Sequence, residues 1–410
     1  MNAEIVAIGT ELLLGQIANT NAQRISQSLA DLGISVYFHT VVGDNRERIL
    51  DTLRTALGRS DLVIATGGLG PTPDDITRDA VAEILDAPLV RSDELEKGLR
   101  AFFEDRGREM PEDNVRQADI PQGATVIPPV GTAPGFWTEH EDRTLFVLPG
   151  VPWEMNEMLS SAVLPELKKR AEGGTIHSRH VLVMGLGESM THDRIKDIVD
   201  AQTNPTIAYL ASWGQVRVRI TARAGSEEEA ERLIAPLEEE IRSRLGKYAA
   251  RGNHETIASA LGTLLRSRDA GLAAAESLTG GLIGEILTET EGSSDYFLGS
   301  LVTYSTDSKR DVAGVDPSML EREGAVSSET ARALAEAAAK RFGADVGVSA
   351  TGVAGPAEQE GKPVGLIYVA ATYEGRTEVR EVKGYGDRES IRRIAANSAL
   401  DLARRLIEDG

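Results

Sequence analysis

No cysteine occurs anywhere in the 410 residues, so disulfides, thiolate metal sites and cysteine nucleophiles are all excluded. Histidine is also scarce. There are six, and none follows His254, which leaves the last third of the chain without an imidazole. Aromatic residues make up only 4%. No apolar run approaches the ~20 residues that span a bilayer, so a membrane role is not expected. The opening Met-Asn-Ala-Glu-Ile-Val-Ala-Ile-Gly enters a strand without a basic leader or cleavage site, and a cytoplasmic location is expected. An excess of positive charge is lacking too. The formal net charge is −20, which disfavours nonspecific binding to nucleic acid or anionic lipid. The middle of the chain is near neutral and both ends are acidic, a balance better suited to a small-molecule enzyme.

What is present is the composition of a soluble globular protein, with 41% hydrophobic and 26% charged residues. The length predicts two or three domains. Short β-rich runs alternate with amphipathic stretches in the first part. Glu4–Ile8, Val36–Val42, Asp61–Ala65 and Leu145–Leu148 read as strands. Asn19–Leu32, Arg46–Leu57 and Ile76–Leu85 read as helices, and Pro152 opens another. This rhythm predicts an α/β domain with a parallel sheet covered on both faces. It is expected to span residues 1–172 and to end at the Glu172-Gly-Gly174 break. Residues 173–250 read as a small α+β domain: a helix near Met190–Val199, a strand over Val216–Thr221 and a helix over Glu227–Leu245. Gly252-Asn253 marks the next linker.

Residues 251–410 read as a second α/β domain. A helix near Glu255–Ser267 precedes a strand at Leu272–Ala275, and Leu298–Tyr304 is another strand. Ser327-Ser328-Glu329 caps a helix to Phe342. The strand beginning at Val346 ends in the glycine loop before Pro356. A hairpin joins Leu366–Tyr373 to Thr377–Val382, and Asp387 starts the closing helix. The three tryptophans, Trp137, Trp153 and Trp213, read as packing residues.

Two sites stand out. In the first, Thr66-Gly-Gly-Leu-Gly-Pro-Thr-Pro-Asp-Asp75 links a buried strand to a helix. Gly67, Gly68 and Gly70 would let backbone amides approach a ligand, and the helix start favours anions. Gly9, Thr10 and Glu11 end the first strand and Asp44 follows the second, so they would share the same carboxyl edge. Asp74 and Asp75 suit a hard cation bridging phosphate oxygens. Equally, either aspartate serves as an ordinary helix cap. No Gly-Lys-Ser/Thr ending is present, so this is not a Walker loop.

In the second, Ser277 sits where a strand hands over to a helix, and Lys309 follows downstream. Without histidine or cysteine, a serine activated by a lysine is the most economical nucleophilic arrangement left. The amides of Thr279, Gly280 and Gly281 would lie near the hydroxyl and could stabilise an oxyanion. Lys309 must then be neutral, with its pKa lowered by desolvation or by a neighbouring cation such as Arg310 or Arg388. The plainer alternatives are a serine N-cap and an exposed helix lysine. Glu276 could orient a ligand or pair with Lys309.

Family likeness narrows these alternatives. Gly67-Gly-Leu-Gly-Pro-Thr-Pro-Asp-Asp-Ile-Thr77, with Asp44 and Leu148-Pro-Gly150, resembles the molybdopterin-binding fold of molybdenum-cofactor enzymes across residues 1–170. The stretch from Gly9 to Asn21 resembles the CinA (competence/damage-inducible) family instead. In that family the domain is associated with metal-dependent ADP-ribose pyrophosphatase activity. The resemblance implies a divalent metal at Asp44 and Asp75, and it puts molybdopterin itself in doubt as the ligand. Ala275-Glu-Ser-Leu-Thr-Gly-Gly281, Thr303-Tyr-Ser-Thr-Asp-Ser-Lys309, Ser349-Ala-Thr-Gly-Val-Ala-Gly-Pro356 and Gly384-Tyr-Gly-Asp-Arg388 resemble the nicotinamide-nucleotide amidase family across residues 254–408.

That second likeness implies Ser277 as nucleophile and Lys309 as general base, with Tyr304 hydrogen-bonding to the pair. Thr351 would help hold the serine or the oxyanion, and Gly352 belongs to the same substrate loop. Arg388 would bind the substrate phosphate. No cofactor is implied there. Leu278 stands where some relatives have cysteine. The implied substrates are nicotinamide mononucleotide and ADP-ribose, and a homodimer is the expected assembly. The middle domain resembles a KH fold, but Gly185-Leu-Gly187-Glu188 lacks the Gly-x-x-Gly spacing of an RNA clamp, so it reads as a spacer or dimerisation element. Two rival readings remain: a protein that holds a nucleotide or pterin without hydrolysing it, and a competence or DNA-damage adaptor. The second would need a basic face that the sequence does not supply.

Overall fold

The computed structural model describes residues 1–170 and 175–409. The expected break at Glu172-Gly-Gly174 lies outside the described residues. The chain forms two compact units. Met1–His177 with Arg223–Glu227 make the first, and Ser178–Ala222 with Glu228–Gly410 make the second. The middle segment therefore falls mostly within the same compact unit as the C-terminal segment.

In the first unit the strands are β1 (Asn2–Ile8), β2 (Ser35–Val42), β3 (Leu62–Thr66), β4 (Leu89–Arg91), β5 (Asp119–Pro121), β6 (Thr125–Ile127), β7 (Gly135–His140) and β8 (Arg143–Leu148). Six of them form one sheet in the order β2-β1-β3-β8-β7-β6, while β4 and β5 pair separately. The β2-β1-β3-β8 part is parallel. The expected parallel sheet is thus present, and at one edge β7 and β6 extend it antiparallel.

Strand alternation divides the core. Ile5, Ile64 and Phe146 meet Ile25 and Leu29 of helix Thr20–Asp31 on one face. Val6, Val63 and Val147 meet Ile49 and Leu53 of helix Arg46–Arg59 on the other. Both faces are thus buried under helices, which is why β1 and β3 read as continuous apolar runs. Asn19 and Asn45 cap these helices by accepting from the Ala22 and Arg48 amides.

The second unit carries two sheets. β9 (Thr175–Met184), β10 (Thr206–Ser212) and β11 (Gln215–Ala224) form one in the order β10-β11-β9, packed with helices Glu188–Asp200 and Glu227–Leu245. The other is β13-β12-β14-β15-β16, built from β12 (Leu272–Glu276), β13 (Phe297–Val302), β14 (Val346–Gly352), β15 (Leu366–Tyr373) and β16 (Arg376–Lys383). Its first three strands are parallel, and β15 and β16 complete it antiparallel. Central β12 is buried at every position. Leu272 and Ala274 pack towards Leu261, Leu265 and Leu400, and Ala273 and Ala275 towards Leu320 and Leu334. Small side chains on β12 let helices approach closely from both sides. Of the tryptophans, Trp137 packs on Phe146, whereas Trp153 and Trp213 are substantially exposed and are not core residues.

Among the described residues, no helix is long and apolar enough to cross a membrane.

Candidate functional site

Parallel strands bring their carboxyl ends to one edge of a sheet, and ligands bind there in open α/β folds. Ser277 follows β12, Thr303 and Tyr304 follow β13, and Thr351 and Gly352 end β14, so the sheet itself assembles the C-terminal site. The strand expected to reach Tyr304 stops at Val302. Ser305 then caps the helix Thr306–Asp311 by accepting from the Ser308 amide at 3.0 Å, and that helix carries Lys309.

Lys309 Nζ donates to Ser277 Oγ at 2.9 Å. It also donates to the Thr303 carbonyl at 2.8 Å and the Tyr304 carbonyl at 3.4 Å. The lysine is only 1% exposed. Burial pulls its pKa down to about 8, while the negative charge of Glu360 opposes the shift. Arg310 is not the cause, because its guanidinium pairs with Asp307 at 3.1 Å and Asp311 at 2.6 Å.

Glu276 neither orients a ligand nor pairs with Lys309. Its carboxylate is fully buried and accepts from the amides of Gly281 at 2.9 Å, Ile283 at 2.9 Å and Gly284 at 3.0 Å, and from Ser300 Oγ at 2.7 Å. It therefore locks the turn after the serine onto the start of helix Leu282–Thr288. Gly281 has φ 103°, in the left-handed region that glycine tolerates.

Of the expected amide donors, Thr279, Gly280 and Gly281, only Thr279 is available, and the Leu278 amide, which was not expected, joins it. The Gly280 amide donates to the Ser277 carbonyl at 3.1 Å, and that of Gly281 is held by Glu276. The amides of Leu278 and Thr279 make no hydrogen bond among the described residues. An oxyanion hole would thus use Leu278 and Thr279 rather than the two glycines.

Tyr304 and Thr351 stand differently from expectation. The Tyr304 side chain is 60% exposed, and its hydroxyl accepts from Arg388 Nη2 at 2.9 Å instead of bonding to the serine–lysine pair. Thr351 is buried, and its hydroxyl donates to the Ala325 carbonyl at 2.7 Å. At Gly352 a Cβ would lie 2.5 Å from the Leu366 carbonyl oxygen, so close strand packing alone explains the glycine. Arg388 also donates to the Gly355 carbonyl and forms no ion pair among the described residues. Arg392, one turn further along the same helix, escaped sequence reasoning. It bonds to the carbonyls of Leu278 and Thr279 at 3.2 and 2.5 Å. Its four-residue spacing from Arg388 was the available signal.

In the first unit the carboxyl edge gathers the other set. The Thr10 amide donates to Asp44 Oδ2 at 2.8 Å, and the Asp44 amide donates back to Thr10 Oγ1 at 3.1 Å. Thr10 and Glu11 lie on a short helix, Thr10–Leu13, directly after Gly9. Asp75 Oδ2 accepts from the Thr72 amide at 2.9 Å and hydroxyl at 2.6 Å, while Asp74 takes the Thr72 hydroxyl as well. Neither aspartate caps helix Thr77–Ile84, whose N-cap is Ile76.

Gly67 has φ 110°, and a Cβ there would lie 2.0 Å from the Ile8 carbonyl oxygen. At Gly68 and Gly70 a Cβ would come within 2.2 Å of Thr77 Oγ1 and 2.3 Å of Asp75 Oδ2. Buried Arg78 holds the loop by donating to the Leu69 and Gly70 carbonyls at 2.6 and 3.0 Å. Burial, with repulsion from Arg116, lowers its pKa to about 10.

Among the described residues no three His, Cys, Asp or Glu side chains gather as a metal cage. Asp44 and Asp75 each keep one carboxylate oxygen without a hydrogen bond among those residues. Carboxylate oxygens are hard donors of the kind a magnesium-like ion takes, but the two aspartates bond to different neighbours, Thr10 and Thr72, and no hydrogen bond joins them among the described residues.

Three family models match in succession: "Probable molybdopterin binding domain" over residues 4–169, "Damage-inducible protein CinA KH domain" over 178–249, and "CinA C-terminal domain" over 254–407. A CinA-like protein of Dictyoglomus thermophilum is 46% identical over 410 residues, covering 99% of both chains. The chain belongs to the CinA family. A second CinA-like protein, from Dictyoglomus turgidum, is 45% identical over 410 residues at the same coverage. A solved structure described as the protein CinA with unknown function, from Thermoplasma acidophilum, is 35% identical, with a TM-score of 0.36. It covers 39% of this chain and 94% of its own. The CinA architecture of a molybdopterin-binding-like domain, a KH domain and a C-terminal α/β domain is thus present along the whole chain.

Proposed function

We propose that the C-terminal α/β domain is a serine–lysine amidohydrolase that converts nicotinamide mononucleotide to nicotinate mononucleotide and ammonia. The observation that carries this reading is the 2.9 Å contact between Ser277 Oγ and the Nζ of a buried lysine whose pKa is drawn down to about 8. Near that pH an appreciable fraction of Lys309 is neutral and can accept a proton. Ser277 Oγ then attacks the carboxamide carbon as its proton passes to Lys309. The carbonyl oxygen gains the negative charge and meets the Leu278 and Thr279 amides. The tetrahedral intermediate collapses with cleavage of the C–N bond, and Lys309 returns the proton so that ammonia leaves. Water attacks the remaining ester, giving the carboxylate and free Ser277. Arg388, which forms no ion pair among the described residues, offers its guanidinium to a substrate phosphate.

The N-terminal domain is proposed to hydrolyse ADP-ribose to AMP and ribose 5-phosphate. Asp44 and Asp75 would hold a divalent ion, which supplies charge neutralisation of the pyrophosphate when bound. The glycine loop, fixed by Arg78, offers its backbone to the phosphates.

Separate incubations test the two halves. With nicotinamide mononucleotide and a chelator, nicotinate mononucleotide and ammonia are expected in equal amounts; no product refutes the amidase. With ADP-ribose, AMP is expected only when a divalent ion is added. Saturable binding of ADP-ribose without any AMP would favour a holding function for the N-terminal domain.

A further inference from the structure

Arg392 has an unusual set of partners for a partly buried guanidinium. Among the described residues it forms no ion pair. Its neighbour Arg393 pairs with Glu389 at 3.1 Å. Arg392 instead aims its Nε at the Leu278 carbonyl, 3.2 Å away, and its Nη2 at the Thr279 carbonyl, 2.5 Å away. These two carbonyls belong to the turn immediately after Ser277. Three tethers then hold that turn: Glu276 grips the Gly281 amide, the Gly280 amide grips the Ser277 carbonyl, and Arg392 grips the next two carbonyls.

Peptide planarity gives these tethers a direction. In a trans peptide the carbonyl and the following N–H point opposite ways. The Leu278 N–H is therefore aimed by the Ser277 carbonyl, which accepts from Gly280. The Thr279 N–H is aimed by the Leu278 carbonyl, which accepts from Arg392. A cation on the carbonyl end of a peptide also draws electron density from its amide end, so the N–H becomes a stronger donor. The same two amides have no partner among the described residues, and they follow the nucleophile directly.

We propose that Arg392 is a positioning residue that fixes and polarises the Leu278–Thr279 peptide, whose Thr279 N–H serves with that of Leu278 as the oxyanion hole of Ser277. The role rests on the serine–lysine reading, but it is distinct from substrate-phosphate binding, which Arg388 fits. Arg392 acts on the transition state through the backbone and contributes little to ground-state affinity.

The test uses the full chain and a reaction independent of the natural substrate, phosphonylation by a fluorophosphonate probe. In that step Ser277 Oγ bonds to phosphorus, fluoride leaves, and Lys309 takes the hydroxyl proton; the phosphoryl oxygen needs the same amide donors. The expected result is that Arg392→Ala is labelled about 10- to 100-fold more slowly than wild type, less than the 10²–10³ lost when an oxyanion donor is removed outright. Added guanidinium ion should restore part of the rate, and Arg392→Lys should fall between. On nicotinamide mononucleotide the loss should appear in kcat with KM nearly unchanged, and the alkaline rise of the pH profile should stay in place. Equal labelling of wild type and Arg392→Ala overturns the proposal, as does a loss confined to KM, which would make Arg392 a phosphate ligand. Wild type that resists labelling altogether overturns the serine–lysine reading itself, and the proposal with it. Arg392→Lys, checked for folding by its thermal transition, keeps the test decisive if the alanine variant does not fold.

Discussion

Lys309 Nζ lies 2.9 Å from Ser277 Oγ across 32 residues of sequence, and both side chains are buried. Two adjacent parallel strands of one sheet, β12 and β13, deliver the segments that carry them. The contact serves either protonation state. A charged lysine donates to the hydroxyl, and a neutral one accepts from it at the same separation.

The pH dependence follows from the lysine. A general base works when deprotonated, so activity should rise with pH and level off above about 8. Below that point kcat/KM should change about tenfold per pH unit, since the neutral fraction does. A flat profile from pH 6 to 9 would rule out this base.

Stability should respond to the same group with a definite sign. The folded-state pKa, about 8, lies below the unfolded value near 10.5. Between those values the unfolded chain binds more protons, so this contribution to stability increases as pH rises from about 8 to 10.5 and is constant below. Lys309→Met should therefore abolish activity yet raise stability at pH 7 by about 1–3 kcal/mol, because a buried cation is replaced by an apolar chain of similar volume. Denaturant titration of the variant checks this. A marked loss of stability would mean that the Thr303 carbonyl and Ser277 bonds outweigh the desolvation cost.

Glu276→Gln should be far more damaging than its near-identical shape suggests. The carboxylate accepts from three amides and one hydroxyl, and an amide group must turn an N–H towards one of them. A loss of about 2–4 kcal/mol is expected, from charge-assisted bonds worth about 1.5–3 kcal/mol each. Activity should fall with it while the pH midpoint stays near that of wild type. Unfolding curves that coincide with wild type would contradict the locking role.

For the N-terminal site, Asp75→Asn should weaken divalent-ion binding in the presence of ADP-ribose while leaving amidase turnover intact. Calorimetric titration of manganese reads the first effect. Gly67→Ala should instead destabilise the domain, because its Cβ would lie 2.0 Å from the Ile8 carbonyl oxygen and φ is 110°. Its damage should appear without any ligand present.

Much of this fold was legible because the buried strands β1, β3 and β12 are near-continuous apolar runs flanked by turn residues. Ser277 and Lys309 stood out because the C-terminal third contains no imidazole or thiol, but that absence left a serine cap and an exposed lysine open, and only the family likeness assigned the two residues their roles. The antiparallel edge was not legible. β6 is three residues long, β7 begins Gly135-Phe-Trp, and such short segments carry too little periodicity to declare a direction. Nor could sequence show that the Tyr304 hydroxyl turns to Arg388 or that Glu276 spends its carboxylate on backbone amides. Those partners are set by tertiary proximity, as is the contact of Arg392 with the serine turn.

The central claim is tested most directly by ammonia release from nicotinamide mononucleotide in metal-free buffer, comparing wild type with Ser277→Ala and Lys309→Arg. The account predicts release by wild type and none above background by either variant, since one lacks the nucleophile and the other cannot readily give up a proton. Undiminished release by Ser277→Ala or Lys309→Arg would contradict it.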